Sequence, residues 1–291
     1  MKKLSKNPKI KLTIVTVNYN SVKLVEELVT SIRNSQNIDF GIKIVVVENS
    51  EEDLSNISEI IYLKNKGNLG FSHGNNLGIT KAEGDYVWFL NPDTTVDPDT
   101  IAYMIRYMDT HPDVGIATPK LVLPNGLLDK NCRRLFPSLN NSLKHFLKIG
   151  NGYYAAGDIN VETEVDVVMG SCLLARRELG DKTNWWDETY FMYGEDIEFC
   201  WQVKNLGYKI MYVPQVIVHH HHGASSGLKK TSEKLTTASK ETKIRSTLAT
   251  TDAMRIFYKK HYEKDNIFLL NWLAYAGMWI LEKTRLMTLR G

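Results

Sequence analysis

The chain has 291 residues, 43% hydrophobic and 24% charged, with a formal net charge of +3. These are the proportions of an ordinary globular protein with room for one large core or two modest ones, and they exclude a disordered or collagen-like chain. Its 3 cysteines, Cys132, Cys172 and Cys200, are widely spaced with no CxxC, which argues against a disulfide framework or a zinc site and fits a reducing cytosol.

The charge is unevenly spread. Leu228–Gly291 holds 13 Lys/Arg against 6 Asp/Glu, a balance of +7, so the remainder carries −4. A basic tail on a slightly acidic body fits an anionic surface or ligand near that end, and equally a lysine-rich solvated face. The N-terminal MKKLSKNPKIKL is basic but lacks the apolar stretch of a signal peptide, so none is expected. No apolar run reaches the about 18–20 residues of a membrane span.

Taken in order, Leu12–Val17 (LTIVTV) is a β-branched run ended by Asn18-Tyr19-Asn20, and predicts a buried strand. Ser21 is placed to cap a helix in which Val22, Val25, Leu28, Val29 and Ile32 recur at helical spacing. Ile42–Val47 (IKIVVV) predicts a second strand, ending in Glu48-Asn49-Ser50, and Tyr62-Leu63 a short third. A glycine-rich stretch with Gly67, Gly70, Gly74 and Gly78 then leads into a short helix, without matching a dinucleotide or P-loop fingerprint.

Tyr86–Leu90 (YVWFL) is wholly apolar and reads as a fully buried strand, halted by Asn91-Pro92 with Asp93 next. Alternating strands and helices predict an α/β fold, a doubly wound and mainly parallel sheet flanked by helices. Such folds bind ligands in the crevice at strand C-termini. Asn18, Tyr19, Glu48, Asn49 and Asp93 all fall there. Glu48 is placed to accept from a ribose or base, or else is a solvated loop acid. Asp93 is a hard oxygen ligand suited to Mg²⁺ or Mn²⁺ on a diphosphate, or else a capping turn residue.

Thr100–Asp109 predicts a helix and Val114–Pro119 a strand; Pro124-Asn125-Gly126 is a turn. From there to about Val161 the chain reads as irregular, and its length suggests an acceptor-side loop. Val165–Met169 predicts a strand closed by Gly170-Ser171, with Cys172–Ala175 continuing as strand or turn.

Glu195 and Asp196 follow Gly194 and open a helix that closes at Gly207. The helix dipole alone favours acids there. Yet Trp185, Trp186, Tyr190, Phe191 and Tyr193 crowd them, and aromatic walls beside a carboxylate suit a sugar face and can tune a base. Tyr208–Val213 and Val216–Val218 predict strands around Pro214 that run into His219–His222. Strand alternation puts His219 and His221 on one face, His220 and His222 on the other. After a polar Leu228–Leu248, Ala249–Tyr262 predicts a helix. Ile267–Leu281 predicts an apolar one between Lys264 and the cations Lys283, Arg285 and Arg290. That helix is suited to packing on the body, to homodimerisation, or to lying at a membrane interface.

Together these stretches resemble the inverting family 2 glycosyltransferases of the GT-A fold, and among them the bacterial rhamnosyltransferases. The likeness covers about Lys11–Gly227 and rests on TIVTVNYN, VVVENS, NKGNLGFSHGNNLGI, FLNPDTTVDP, GSCLLARRE, WDETYFMYGEDIEFCWQVKNLG and HHHHGASS in that order. It implies a catalytic domain over 1–227 and a C-terminal extension over 228–291. It implies donor contacts at Val17, Tyr19, Glu48, Asn49, Asn68, Asn75, Asn91 and Asp93, with Glu48 standing where aspartate is usual. Asn91-Pro92-Asp93 takes the place of the DxD motif with its first acid replaced, leaving Asp93 and His220 as ligands for Mg²⁺ or Mn²⁺. Glu195-Asp196 matches the ED motif, with Asp196 the base, and Trp186, Tyr193, Gly170 and Ser171 lie on the acceptor side. The implied partners are a nucleotide-sugar donor and a saccharide or lipid-linked saccharide acceptor, not nucleic acid. The implied donor is dTDP-rhamnose; the alternatives are a UDP-hexose donor or a non-catalytic sugar-binding module.

Overall fold

A computed structural model describes residues 8–138, 141–142, 150–221 and 240–290. Its centre is a mixed sheet of nine strands: β1 (Ile10–Asn18), β2 (Gly41–Glu48), β3 (Ile61–Lys64), β4 (Tyr86–Leu90), β5 (Thr94–Val96), β6 (Val114–Val122), β7 (Thr163–Glu164), β8 (Cys172–Arg176) and β9 (Lys209–His220). The spatial order is β3-β2-β1-β4-β8-β6-β9-β5, with β7 on β9. The β3-β2-β1-β4 half is parallel, as are β6 and β9, while β8 lies antiparallel between β4 and β6. Every residue of β4 is buried, as a wholly apolar strand with both faces covered must be.

The flanking helices are α1 (Val22–Arg33), α2 (Phe71–Ile79), α3 (Thr100–Thr110), α4 (Arg177–Thr183), α5 (Glu195–Asn205), α6 (Lys240–His261) and α7 (Phe268–Arg290). α1 buries Val25, Leu28, Val29 and Ile32, the stripe its spacing predicts. Ser21 precedes it without capping it. Its hydroxyl donates to Asn18 Oδ1, and the first helical N–H, that of Val22, donates to Glu52 instead.

Other expectations are corrected. The helix predicted after the glycine-rich stretch lies within it. A Cβ on Gly74 would come to 2.9 Å from Val17, and one on Gly78 to 2.5 Å from Val15, so these glycines let α2 lie directly on β1. Val165–Met169 is not a strand; its only ladder contact is an isolated bridge from Val167 to Arg134. The two strands predicted around Pro214 are one, β9. Its pairing with β6 jumps from Pro119–Val213 to Lys120–Ile217, and this irregularity holds the proline that cannot donate to the ladder. β5, just past Pro92, and α4 had no sequence signal strong enough to read. Much of the expected polar 228–248 stretch lies outside the described residues.

Gly180 in α4 sets another close approach. A Cβ there would meet the Trp185 ring at 2.3 Å. Trp185 is itself buried, so the ring has nowhere to go. Gly180→Ala is therefore expected to destabilise the fold by about 1–3 kcal/mol through overpacking, despite alanine's better helix propensity. A denaturant melt reading equal or greater stability would contradict this.

α6 and α7 form a hairpin tied by Arg255–Glu282 at 2.8 Å and by Tyr258 donating to Asn271 at 2.7 Å. α6 lies on α5, where His261 meets Glu198 at 2.8 Å and Trp201 packs edge-on to Phe257. Among the described residues no helix is long and apolar enough to cross a membrane.

Candidate active site

The buried run of β4 ends at Leu90, and the next three residues turn sharply. The Asn91 N–H donates to the Ser171 carbonyl at 2.9 Å, and the Asn91 carbonyl accepts from the Thr94 N–H and hydroxyl. Asp93, held in this turn, is 9% exposed. β5 then pairs antiparallel with the end of β9, setting Thr94 opposite His220. That register brings His220 Nε2 to 3.6 Å from Asp93 Oδ1. The other ring nitrogen, Nδ1, lies 3.1 Å from Asp129 Oδ2, and Asp129 Oδ1 is held by the Asn131 amides.

Burial disfavours the His220 imidazolium, but the bonds and charges of Asp129 and Asp93 outweigh it and raise its pKa to about 9. Strand alternation sends His219 the other way, to Asp97 at 3.0 Å in a half-exposed contact, and leaves His221 exposed. His222 lies outside the described residues.

Does this cluster fit the divalent ion that the resemblance implies? Among the described residues no group of three or more His, Cys, Asp or Glu side chains is set to hold one. The donor chemistry nonetheless fits an ion that keeps waters and completes its shell with phosphate oxygens. Asp93 offers a carboxylate and His220 Nε2 an imidazole, while Asp129 braces the far ring nitrogen, as carboxylates behind metal-binding histidines do. Binding there displaces the Nε2 proton. Asp129→Asn is expected to weaken Mn²⁺ binding by about 10–100-fold while leaving both donors in place. Calorimetric titration with Mn²⁺ giving unchanged affinity would refute the bracing role.

The second cluster forms where α5 begins. Asp196 Oδ2 accepts from Arg134 Nη2 at 2.5 Å and from the Gly170 N–H at 3.3 Å. Arg134 is fixed in turn by the Asn131 and Val168 carbonyls. Glu195 is buried, and burial first, then the charge of Asp196, pushes its pKa well above the ordinary carboxylate range. Two adjacent buried carboxyls resist ionising together.

Gly170-Ser171 joins the two clusters: Gly170 holds Asp196 and Ser171 holds Asn91, two residues before Asp93. The glycine loop closes on the same region. The Phe71 N–H donates to the Phe191 carbonyl, Ser72 donates to the Tyr190 carbonyl, and Trp186 packs edge-on to Phe71 and Phe89. Around this meeting point Ser171 Oγ, Trp186 Nε1 and Glu195 Oε2 are buried without a hydrogen-bond partner among the described residues. Buried polar atoms rarely stay so, and ligand hydroxyls or water satisfy such groups.

Other expected site residues fall on the β1–β2 side. Tyr19 is exposed at the end of β1, and Val17 lies half-buried against Gly74. Glu48 is fully buried, bonded to Asn18 at 2.5 Å and to Ser50. Asn49 donates to the Gly70 carbonyl, Asn68 accepts from the Gly70 N–H, and Asn75 donates to the Phe71 carbonyl, so all three shape the glycine loop. Tyr193 and Gly194 both take positive φ, +69° and +88°, to turn the chain into α5. Beside them a groove of about 450 Å³ runs between Thr189–Tyr193 and α6, lined by Tyr190, Phe191, Arg245 and Arg255 among others. Arg245 lies over the Phe191 ring, 4.3 Å from its centroid.

Sequence reasoning missed Asp129, Arg134 and Arg245. The irregular stretch that carries the first two was expected to serve the acceptor side, and Arg134 does reach the site. Nothing in the local spacing marked either residue.

The sequence pattern that defines Glycosyl transferase family 2 matches residues 13–184. The chain is 32% identical to "Rhamnosyltransferase WbbL" of Escherichia coli (strain K12) over 160 residues, 51% of this chain and 59% of that protein. It is 28% identical over 212 residues to "Low-salt glycan biosynthesis hexosyltransferase Agl10" of Haloferax volcanii, covering 67% and 62%. The chain thus spans about three fifths of the length of these two curated relatives. Among solved structures, GalNAc-T7, crystallised with UDP, GalNAc and Mn²⁺, superposes with a TM-score of 0.56 at 14% identity, covering 74% of this chain and 44% of that one. At that identity the likeness is one of fold.

Proposed function

We propose, from the premise that this chain belongs to glycosyl transferase family 2, that it is an inverting transferase moving L-rhamnose from dTDP-rhamnose onto a saccharide. In this reading the acceptor is lipid-linked, and transfer takes place at the cytoplasmic face of the membrane during synthesis of a bacterial surface polysaccharide. The observation that carries it is the meeting of Asp93–His220 and Asp196 across Gly170-Ser171. The resemblance to a rhamnosyltransferase supports the choice of sugar.

Asp93 and His220 would hold Mg²⁺ or Mn²⁺ at the donor end of the site. The ion, when bound, neutralises the departing diphosphate as a Lewis acid. Tyr19, Val17, Glu48 and Asn49 flank the nucleotide, and the loop shaped by Asn68 and Asn75 closes over it with Asn91. On the opposite side Asp196 takes the proton of an acceptor hydroxyl. The hydroxyl oxygen bonds to the anomeric carbon as the bond to the diphosphate breaks, which inverts the configuration in one displacement. Arg134 and the Gly170 N–H aim the Asp196 carboxylate. Trp186, Tyr193, Gly170 and Ser171, continued by the aromatic and arginine-lined groove along α6, receive the acceptor. Residues 1–227 carry the chemistry and 228–291 complete the acceptor side.

Nucleotide release from a panel of dTDP- and UDP-sugars tests the donor. dTDP-rhamnose is expected to be preferred, and preference for a UDP-hexose would replace it with the second reading, which the likeness to a hexosyltransferase favours. No glycoside formed with any donor and acceptor would leave a sugar-nucleotide binding module.

A further inference from the structure

The outer face of α7 has an unusual surface. Leu269, Trp272, Leu273, Ile280 and Met287 recur at helical spacing, and each is more than half exposed. Ile267 and Phe268 extend the patch at its start, with Phe268 84% exposed. Scattered apolar side chains are normal on a surface, but a stripe running the length of a helix marks an interaction site. The opposite face is occupied by α6. Glu282, the sole acid of α7, is buried there against Arg255 and Thr251. Within α7 the outward face therefore carries the cation Lys283 and no anion. Lys283 lies on the stripe near the Trp279 ring, 3.8 Å from Glu282 at its margin, and Lys264 is exposed just before the patch begins.

This pattern selects among occupants. A second copy of the chain would set Lys283 against an identical stripe on which α7 offers no acid to meet it. A bilayer with anionic headgroups matches both halves of the surface. The aliphatic side chains enter the acyl boundary, the tryptophan rings sit at headgroup depth, and the lysine stem lies along the apolar surface with its charge on phosphate. We propose that this face of α7 docks on an anionic phospholipid surface, with the helix lying in the headgroup plane. The proposal extends the membrane placement just given. Its test requires no turnover, so its failure and that of the transferase reading are distinguishable.

The experiment is sedimentation of the full chain with vesicles of phosphatidylcholine alone or mixed with phosphatidylglycerol. The protein is expected to bind the mixed vesicles far better, and to leave them as salt rises. Leu269→Asp with Leu273→Asp changes only exposed positions. It is expected to lower partitioning by about 100-fold or more, the contribution of two buried leucines. Lys264→Glu with Lys283→Glu is expected to lower it by about tenfold or more. Absence of binding by the wild-type chain, or unchanged partitioning of both variants, would overturn the proposal. So would a lipid-free dimer in light scattering that the aspartates dissociate, since the face would then be a subunit interface.

Discussion

Asp196→Asn is expected to lower turnover by about 10²–10⁴-fold, the usual contribution of a positioned general base, with nucleotide diphosphate binding nearly unchanged. The substitution keeps the size of the side chain and an oxygen able to accept from Arg134 or Gly170. It removes only the capacity to take a proton. On the proposed assignment donor binding rests on the far side of Gly170-Ser171, at the end of β4, and is expected to be spared. Because Arg134 loses its carboxylate partner, the variant needs a melting curve beside its kinetics. A folded Asp196→Asn protein with near-normal turnover would remove Asp196 from the chemistry.

Asp93→Ala is expected to act on donor binding instead. It deletes the carboxylate facing His220 Nε2 and leaves Asp129 in place behind the ring. Affinity for nucleotide diphosphate in the presence of Mn²⁺ should fall by at least about tenfold, since even an outer-shell partner contributes that much to metal binding. Without Mn²⁺ the two proteins should bind the nucleotide similarly. Equal calorimetric affinity with the ion present would mean that Asp93 is not a ligand. The two substitutions thus separate a binding defect from a chemical one.

The residues at strand ends were legible because the signal is local. An apolar run such as Tyr86–Leu90 cannot continue through Asn91-Pro92, so the position of Asp93 follows from its neighbours. The same holds for Glu195 and Asp196, placed by Gly194 and the helical spacing that follows. Alternation along β9 separated the histidines into two faces and the resemblance implied His220; the pairing of β5 with β9 turns it toward Asp93. Asp129 and Arg134 were not legible because their roles depend on partners 91 and 62 residues away. The helix inside the glycine stretch was missed for the opposite reason. Glycine is a poor helix former, and contact with Val15 and Val17 is what makes it necessary there.

The seating of α6 has a practical consequence. A Cβ on Gly194 would lie 3.0 Å from the Ala253 side chain, and Glu198, one turn along from Gly194, is bound by His261. Gly194, two residues before Asp196, and Glu198, two residues after it, therefore rest against the C-terminal hairpin. A shortened protein ending near residue 239 would lose the exposed stripe of α7 proposed to face lipid and, at the same time, the wall against which the start of α5, with Asp196, is seated. Inactivity of such a fragment would be ambiguous between the two losses, whereas point changes on the outer face of α7 touch only the first.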